Sequence, residues 1–227
     1  MRHASTALLA ALVSLLAASG VAFAAGDTGT DSEAAPDAAK ARVLSPEELA
    51  EKEARKACKQ TICDIIASRD PTGDDVACDI VKTWREEDIV KMLGGRIGWP
   101  WGKAVCRSRL EVKRKDLALA MSAPDYNMVM PAQKVRCTLA QKEGGEPYAI
   151  EVTLAPAAKF ENGKATEASI NWGEATAPMF IYPLIYAGTG LDNSANVLGS
   201  EVVHMINEFT TKKCAEVKAE APSRNPN

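Results

Sequence analysis

The chain has 227 residues, of which 46% are hydrophobic, and its 27 Lys and Arg against 30 Asp and Glu give a formal net charge of −3. A chain of this length can bury a core without the help of disulfide bonds. Its acidic balance makes nucleic acid a poor candidate partner, and outside the amino-terminal leader no apolar run is long enough for a transmembrane segment.

The amino terminus predicts an export signal. Residues 1–3 form a short basic head, and residues 7–16 form an apolar run too short to span a bilayer. Ala22 and Ala24 have the small side chains that a signal peptidase recognises. We therefore predict a signal peptide over residues 1–24. The mature protein, beginning at Ala25, is expected to be periplasmic or secreted.

A disordered leader and then a helix are expected next. Residues 25–44 are rich in Ala, Gly, Asp, Thr, Ser and Pro without periodicity, so they bury too little apolar surface to fold. Ser45, Pro46 and Glu48 then have the spacing of a capping box with proline at the first helical position. Small and apolar residues recur at helical spacing as far as residue 67.

A strand followed by a helix is predicted twice in the middle of the chain. Cys78 and Cys106 each lie in a strand-like segment, and each is followed by an Asp and an aliphatic residue ten and eleven positions later. The first of these short helices is expected to end at Gly94 and Gly95. A third cysteine, Cys137, lies in a similar strand-like segment. We interpret the pattern as one unit used twice.

The second half predicts an antiparallel sheet and a closing helix. After a proline-punctuated connection at 124–131, strands are expected at 134–140, 148–154 and 165–172. Hairpin turns are expected at 143–146 and 161–164, and a helix follows at about 196–217. We predict a single α+β domain over residues 45–217, in which an antiparallel sheet of about five strands packs against the amino- and carboxy-terminal helices. Residues 218–227 are expected to form a disordered tail.

Six cysteines in an exported chain predict disulfide bonds. Their spacing has neither a C-x-x-C motif nor a Cys/His cluster, so no metal site is expected. The pairing we favour joins cysteines near the two chain ends and cysteines on one face of neighbouring strands. It consists of Cys58 with Cys214, Cys63 with Cys78, and Cys106 with Cys137.

Residues typical of catalytic sites are scarce. His204 is the only histidine after the predicted signal peptide, and its helical neighbours are polar, which predicts a solvated side chain. No nucleotide-binding or hydrolase motif occurs, and no cofactor is expected. Acidic clusters at 74–75 and 86–88 could supply a pair of carboxylates, but acidic residues are also favoured there by helix capping. We expect a protein that is not an enzyme.

Strand alternation places five cations on the outward face of the sheet, where phosphate, lipid head groups or an acidic polymer could bind. These cations are Arg107, Arg109, Lys113, Lys134 and Arg136. The alternative, which we favour, is a solvated face in which Glu111 and Glu151 pair with the cations across strands.

Two aromatic segments could bind a ligand or a partner. The apolar segment at 178–186 is interrupted by prolines, so we do not expect it to form a regular element, and a second segment surrounds Pro100. Each segment either covers the core or presents aromatic side chains for recognition. The candidate binding residues are Trp99, Trp101, Phe180, Tyr182 and Tyr186.

These observations favour an exported, non-catalytic binding or interaction module with an unknown protein or small-molecule partner, or with a contact to the envelope surface. One alternative is a carboxylate-based hydrolase acting on cell-envelope glycan, which would need two carboxylates about 5–9 Å apart in a cleft. Another alternative is a structural envelope protein. A cleft lined by the aromatic residues would favour binding.

Overall fold

The computed structural model describes residues 43–92 and 98–220. The predicted signal peptide, residues 25–42 of the predicted leader and residues 221–227 lie outside the described part. The helices are α1 (Pro46–Ser68), α2 (Glu86–Met92), α3 (Arg114–Ser122), α4 (Tyr182–Ala195), α5 (Gly199–Glu208) and α6 (Cys214–Glu220). The strands are β1 (Val76–Trp84), β2 (Ala104–Val112), β3 (Asp125–Val129), β4 (Gln133–Leu139), β5 (Tyr148–Leu154), β6 (Ala157–Glu161), β7 (Lys164–Ser169) and β8 (Trp172–Thr176).

The fold is α+β, as predicted, with an antiparallel sheet of five strands in the order β1–β2–β4–β5–β8. A second, smaller antiparallel sheet, in the order β3–β6–β7, was not predicted. Its strand β3 lies inside the segment that we interpreted as a connection. The strand predicted at 165–172 is present as β7 only as far as Ser169. Asn171, with a left-handed backbone (φ 53°), separates β7 from β8. The two strands therefore belong to different sheets.

Helix α1 begins with the predicted capping box. The Glu48 backbone N–H donates to the Ser45 hydroxyl at 3.2 Å, and the Ser45 backbone N–H donates to the Glu48 carboxylate at 2.8 Å. The helix ends at Arg69, whose left-handed backbone (φ 55°) directs its N–H to the Ile65 carbonyl. Both ends of the helix are thus satisfied locally.

The strand-then-helix unit occurs twice, as predicted. Strand β1 precedes α2, and the antiparallel neighbour β2 precedes α3, with Val76 opposite Val112 and Trp84 opposite Ala104. The predicted end of the first short helix at Gly94 and Gly95 lies outside the described residues. Because β1 pairs with β2, the strands of the two copies are neighbours in one sheet.

The predicted carboxy-terminal helix is present, but it contains a π-helical turn, Phe209–Lys213, between α5 and α6. The hydroxyls of Thr210 and Thr211 donate to the Asn207 carbonyl at 3.1 and 2.6 Å. These two hydroxyls bond to a backbone carbonyl at the point where the backbone hydrogen bonds change from the α-helical to the π-helical pattern. Residues 218–220 continue α6, so the tail prediction was wrong for these three residues.

The prediction of irregular structure at 178–186 was wrong, because helix α4 begins at Tyr182. Pro183 lies in the first turn, where a backbone N–H has no helical partner and its absence costs little. The Pro178 carbonyl accepts the N–H groups of Ile181 and Tyr182 just before and at the start of the helix.

The disulfide bonds join Cys58 to Cys78, Cys63 to Cys214 and Cys106 to Cys137, with Cα–Cα distances of 6.0, 5.2 and 4.0 Å. The predicted Cys106–Cys137 pair is correct, since the two residues lie opposite each other on β2 and β4. The predicted pairs Cys58–Cys214 and Cys63–Cys78 were wrong. Cys58 and Cys63 lie about 140° apart around α1. Consequently one faces β1 and the other faces α6.

Buried side chains form two clusters. The large-sheet core includes Trp84, Leu139, Val152 and Trp172, and the second cluster, the α1-side core, includes Ile65, Val76, Ile80, Leu110 and Phe160. The second cluster brings together α1, the β1–β2 pair and the small sheet. Residues of both clusters line the cavity described next.

A candidate ligand cavity

An apolar cavity of about 240 Å³, partly open to solvent, lies between the two sheets and the helices α1 and α5. Its walls come from elements that are distant in the sequence. The lining includes Ile62 and Ile66 from α1, Ile80 from β1, Leu110 and Val112 from β2, Leu117 and Met121 from α3, Met128 from β3, Phe160 from β6, Trp172 from β8, and Val202, Met205 and Ile206 from α5, with Phe209 from the π-helical turn. Aliphatic, thioether and aromatic groups dominate this surface.

Small side chains help to leave this space open. Ala120 on α3, together with Ala157 and Ala158 on β6, lines the cavity. Phe160 is on the same face of β6 as Ala158, because strand side chains alternate, and it is 4% exposed. A longer side chain at Ala158 would therefore project towards the cavity.

Four methionines, Met121, Met128, Met130 and Met205, contribute to the lining. The unbranched thioether side chain has several rotatable bonds and a polarizable sulfur, so it adapts its shape to different neighbours. A wall with this composition can close around apolar groups of more than one shape.

The charged residues in the lining are Arg55 and Lys59, which lie one turn apart on α1. The Arg55 guanidinium donates to the Val81 carbonyl at 2.5 Å and pairs with Glu51 at 3.6 Å, so it is held in place. Partial burial lowers the pKa of Lys59, and the nearby charges of Arg55 and Lys213 lower it further. Both cationic side chains of the lining therefore come from one side of the cavity, that of α1.

Trp172 connects the cavity wall to the junction of α4 and α5. Its indole N–H donates to the Asp192 carboxylate at 2.8 Å, and the other oxygen of Asp192 accepts the Leu198 backbone N–H at 2.9 Å. The Asn193 side chain accepts the Trp172 backbone N–H and donates to the Trp172 carbonyl. The buried carboxylate of Asp192, 3% exposed, thus orients a residue of the wall.

The predicted basic face is exposed, and its cations are interleaved with carboxylates. All five residues, Arg107, Arg109, Lys113, Lys134 and Arg136, are exposed. Arg109 contacts Glu111 at 2.8 Å and Asp79 at 3.5 Å, while Lys134 and Arg136 each contact Glu151 at 2.7 Å. Hydrogen bonds from Lys134 and Arg136 lower the pKa of Glu151. The favoured cross-strand pairing is present for Glu151, whereas Glu111 pairs with Arg109 on its own strand.

The five predicted aromatic binding residues differ in burial, and the cavity is lined by other residues. Trp99 and Trp101 are half-buried against the large-sheet core, with an edge-to-face contact at 4.8 Å. Phe180, Tyr182 and Tyr186 are 60, 41 and 66% exposed. Phe180 packs edge to face against Tyr148 at 4.9 Å, and Tyr182 stacks with Tyr186 at 6.1 Å.

The other polar candidates from the sequence are a histidine and two acidic clusters. His204 is exposed on α5, as expected. The Asp75 carboxylate accepts the Arg114 backbone N–H at 2.9 Å at the start of α3, and Glu86 in the first turn of α2 pairs with Lys142 at 2.6 Å. These two acidic residues act in helix capping and ion pairing.

Sequence reasoning missed the cavity, although two signals for it were visible. One signal is the methionine-rich segment at 121–130, and the other is the apolar stripe that Leu198, Val202, Met205, Ile206 and Phe209 form on the last predicted helix. Met205 and Phe209 of that stripe line the cavity, whereas Leu198 is buried in the large-sheet core.

Among residues 43–92 and 98–220, no helix combines the length and the apolar character needed to span a bilayer.

Comparison with known proteins does not assign this chain to a family: no family model, curated protein or solved structure matches it significantly.

Proposed function

We propose that the protein is an exported, non-catalytic binding protein that holds the apolar part of a small ligand in the cavity between its two sheets. The observation that supports this proposal is the composition of the cavity wall, which offers few hydrogen-bond partners to water. Concave, mostly apolar sites with a few polar groups are the usual form of small-molecule sites.

The size of the cavity suggests the size of the ligand. A cavity of about 150 Å³ with a similar apolar lining accommodates benzene, so in proportion the 240 Å³ cavity accommodates about ten carbon atoms. A linear or singly branched hydrocarbon chain of this length matches the volume of the cavity.

Disulfide bonds support a rigid site and an oxidising compartment. Cys58 lines the cavity and is bonded to Cys78 on β1, while Cys63 is bonded to Cys214 on α6. These bonds hold α1 against two neighbours and pre-organise the cavity wall, which lowers the entropic cost of binding. Periplasmic or secreted location agrees with three disulfides and with the predicted signal peptide.

Titration calorimetry with 1-decanol tests the proposal. The wild-type protein is expected to bind the alcohol with a negative heat-capacity change, because apolar surface leaves water. The Ala158→Leu substitution fills the space and should weaken binding by at least about tenfold. Its melting temperature should be unchanged or higher, since the added carbons occupy existing space.

A matched control places the same substitution outside the cavity. Ala187 is exposed on α4, so Ala187→Leu should bind 1-decanol as the wild type does. Equal binding by the Ala158→Leu and wild-type proteins would contradict the proposed site.

A further inference from the structure

The cavity has chemically different parts. Most of its wall is apolar, but Arg55 and Lys59 contribute cationic side chains from one face of α1. The hydroxyl-bearing residues Ser169 and Thr210 add polar character elsewhere in the lining. A ligand that matches this distribution has one long apolar part and one compact polar end.

The charges around Lys59 come from its own helix and from two packed elements. Arg55 lies on α1, Lys82 lies on β1, and Lys213 and Glu216 come from the carboxy-terminal helical region. Lys213 is mostly buried and pairs with Glu216 at 3.1 Å. Glu51, which pairs with Arg55 at 3.6 Å, adds a second carboxylate. Four cations, counting Lys59, still outnumber these two carboxylates, and the resulting positive potential favours an anion beside Lys59.

We infer that the ligand is an amphiphile with an anionic head group, such as a carboxylate, bound at Arg55 and Lys59, and a single apolar chain of about ten carbons in the cavity. This inference rests on the proposed function, because it assumes that the cavity holds the chain. It adds the charge of the head group and the end of the cavity where that group lies. Arg55 is held by Val81 and Glu51, and Lys59, one turn further along α1, supplies a second cation on this side of the cavity.

Three ten-carbon compounds that differ only in the head group separate the two proposals. Calorimetric titration of the full mature chain with decanoate, 1-decanol and decylammonium should give the tightest binding for decanoate. We expect decanoate to bind at least about tenfold more tightly than 1-decanol, because a charge-assisted hydrogen bond replaces a neutral contact. Decylammonium is expected to bind most weakly, since like charges repel.

The Lys59→Met variant tests the position of the head group. It retains an unbranched side chain of similar length and should bring the ratio of the decanoate affinity to the 1-decanol affinity close to one. Lys52→Met is the matched control, because Lys52 is exposed on α1 and lies outside the cavity lining. This variant should keep the wild-type preference.

Three outcomes of these titrations would contradict one or both proposals. Equal affinities of the wild type for decanoate and 1-decanol would overturn the anionic head group and leave the proposed function intact. Loss of the preference in both lysine variants would also overturn the inference, because it would reflect overall charge. If none of the three compounds binds, the proposed function fails, and the head-group inference fails with it.

Discussion

The two disulfide bonds of helix α1 should contribute unequally to stability. Cys58–Cys78 closes a loop of 20 residues, whereas Cys63–Cys214 closes a loop of 151 residues. The chain-entropy relation gives about 3 kcal/mol for the shorter loop and about 5 kcal/mol for the longer one at 25 °C. Removal of the Cys63–Cys214 bond should therefore cost about 2 kcal/mol more.

Paired alanine variants measure this difference with matched chemistry. Cys58→Ala/Cys78→Ala and Cys63→Ala/Cys214→Ala each remove two sulfur atoms and one bond, so their urea unfolding curves can be compared directly. For a domain of this size, the expected difference corresponds to about 4–8 °C in melting temperature. Peptide mapping of the unreduced protein verifies which bond each variant lacks.

A larger loss of stability in the Cys58→Ala/Cys78→Ala variant would refute this reasoning. That result would mean that local packing around β1, and not the restriction of the unfolded chain, sets the contribution of the bonds. Equal losses would refute it as well, because the loop lengths differ more than sevenfold.

The remaining predictions concern aromatic residues. Burial, followed by the hydrogen bond that its hydroxyl donates to Asp116 at 2.8 Å, raises the pKa of Tyr126 to about 12. Because this pKa is raised on folding from the ordinary value of about 10, the associated stability is complete below pH 10 and is lost as the pH rises through about 12. Tyr126→Phe should remove one late-ionising tyrosinate from the alkaline absorbance titration, and an unchanged titration would contradict the assignment. Trp101→Ala should lower the free energy of unfolding by about 2–4 kcal/mol, because Trp101 packs against the large-sheet core. Tyr182→Ala, at an exposed position, should change it by less than about 0.5 kcal/mol, and equal losses measured by urea unfolding would contradict this difference.

Local signals in the sequence predicted the elements whose ends are satisfied by nearby residues. Ser45 and Glu48 cap α1 within one turn, and the turn at Asn162 and Gly163 joins β6 to β7 with the positive φ angles (51° and 80°) that these residues accept. Chemistry of this kind is contained in four or five consecutive residues. It can be identified without knowledge of the tertiary structure.

Features that depend on contacts between distant segments were not predictable in the same way. The periodicity of α1 shows that Cys58 and Cys63 face different directions, but the choice of Cys78 or Cys214 as a partner depends on where β1 and α6 pack. The strand at 165–172 had an acceptable pattern, and a single left-handed residue, Asn171, divided it between two sheets.

The cavity is the most non-local feature of the fold. Hydrophobic patterns identify the inward faces of β2 and α5, but they do not show whether Leu110 and Met205 meet or leave a space. That outcome depends on the summed volumes of side chains from both sheets and several helices. Alanines such as Ala158 are ordinary strand residues until their neighbours are known.

The Asn193 side chain, which binds both backbone groups of Trp172, has a counterpart on α5. Asn207 accepts the Ala165 backbone N–H at 2.9 Å and donates to the Ala165 carbonyl at 2.9 Å. Trp172 and Ala165 belong to β8 and β7, the last strands in the order of the large and the small sheet. Each asparagine therefore takes the place that a residue of an additional strand would occupy.

This arrangement bears on self-association. An outer strand with open N–H and C=O groups can recruit a strand from another molecule and so begin aggregation. An amide side chain offers one donor and one acceptor, but the helix that carries it cannot continue the ladder. Asn193 and Asn207 thus block strand addition at two edge positions, which lowers the tendency of copies of this protein to aggregate through these strands.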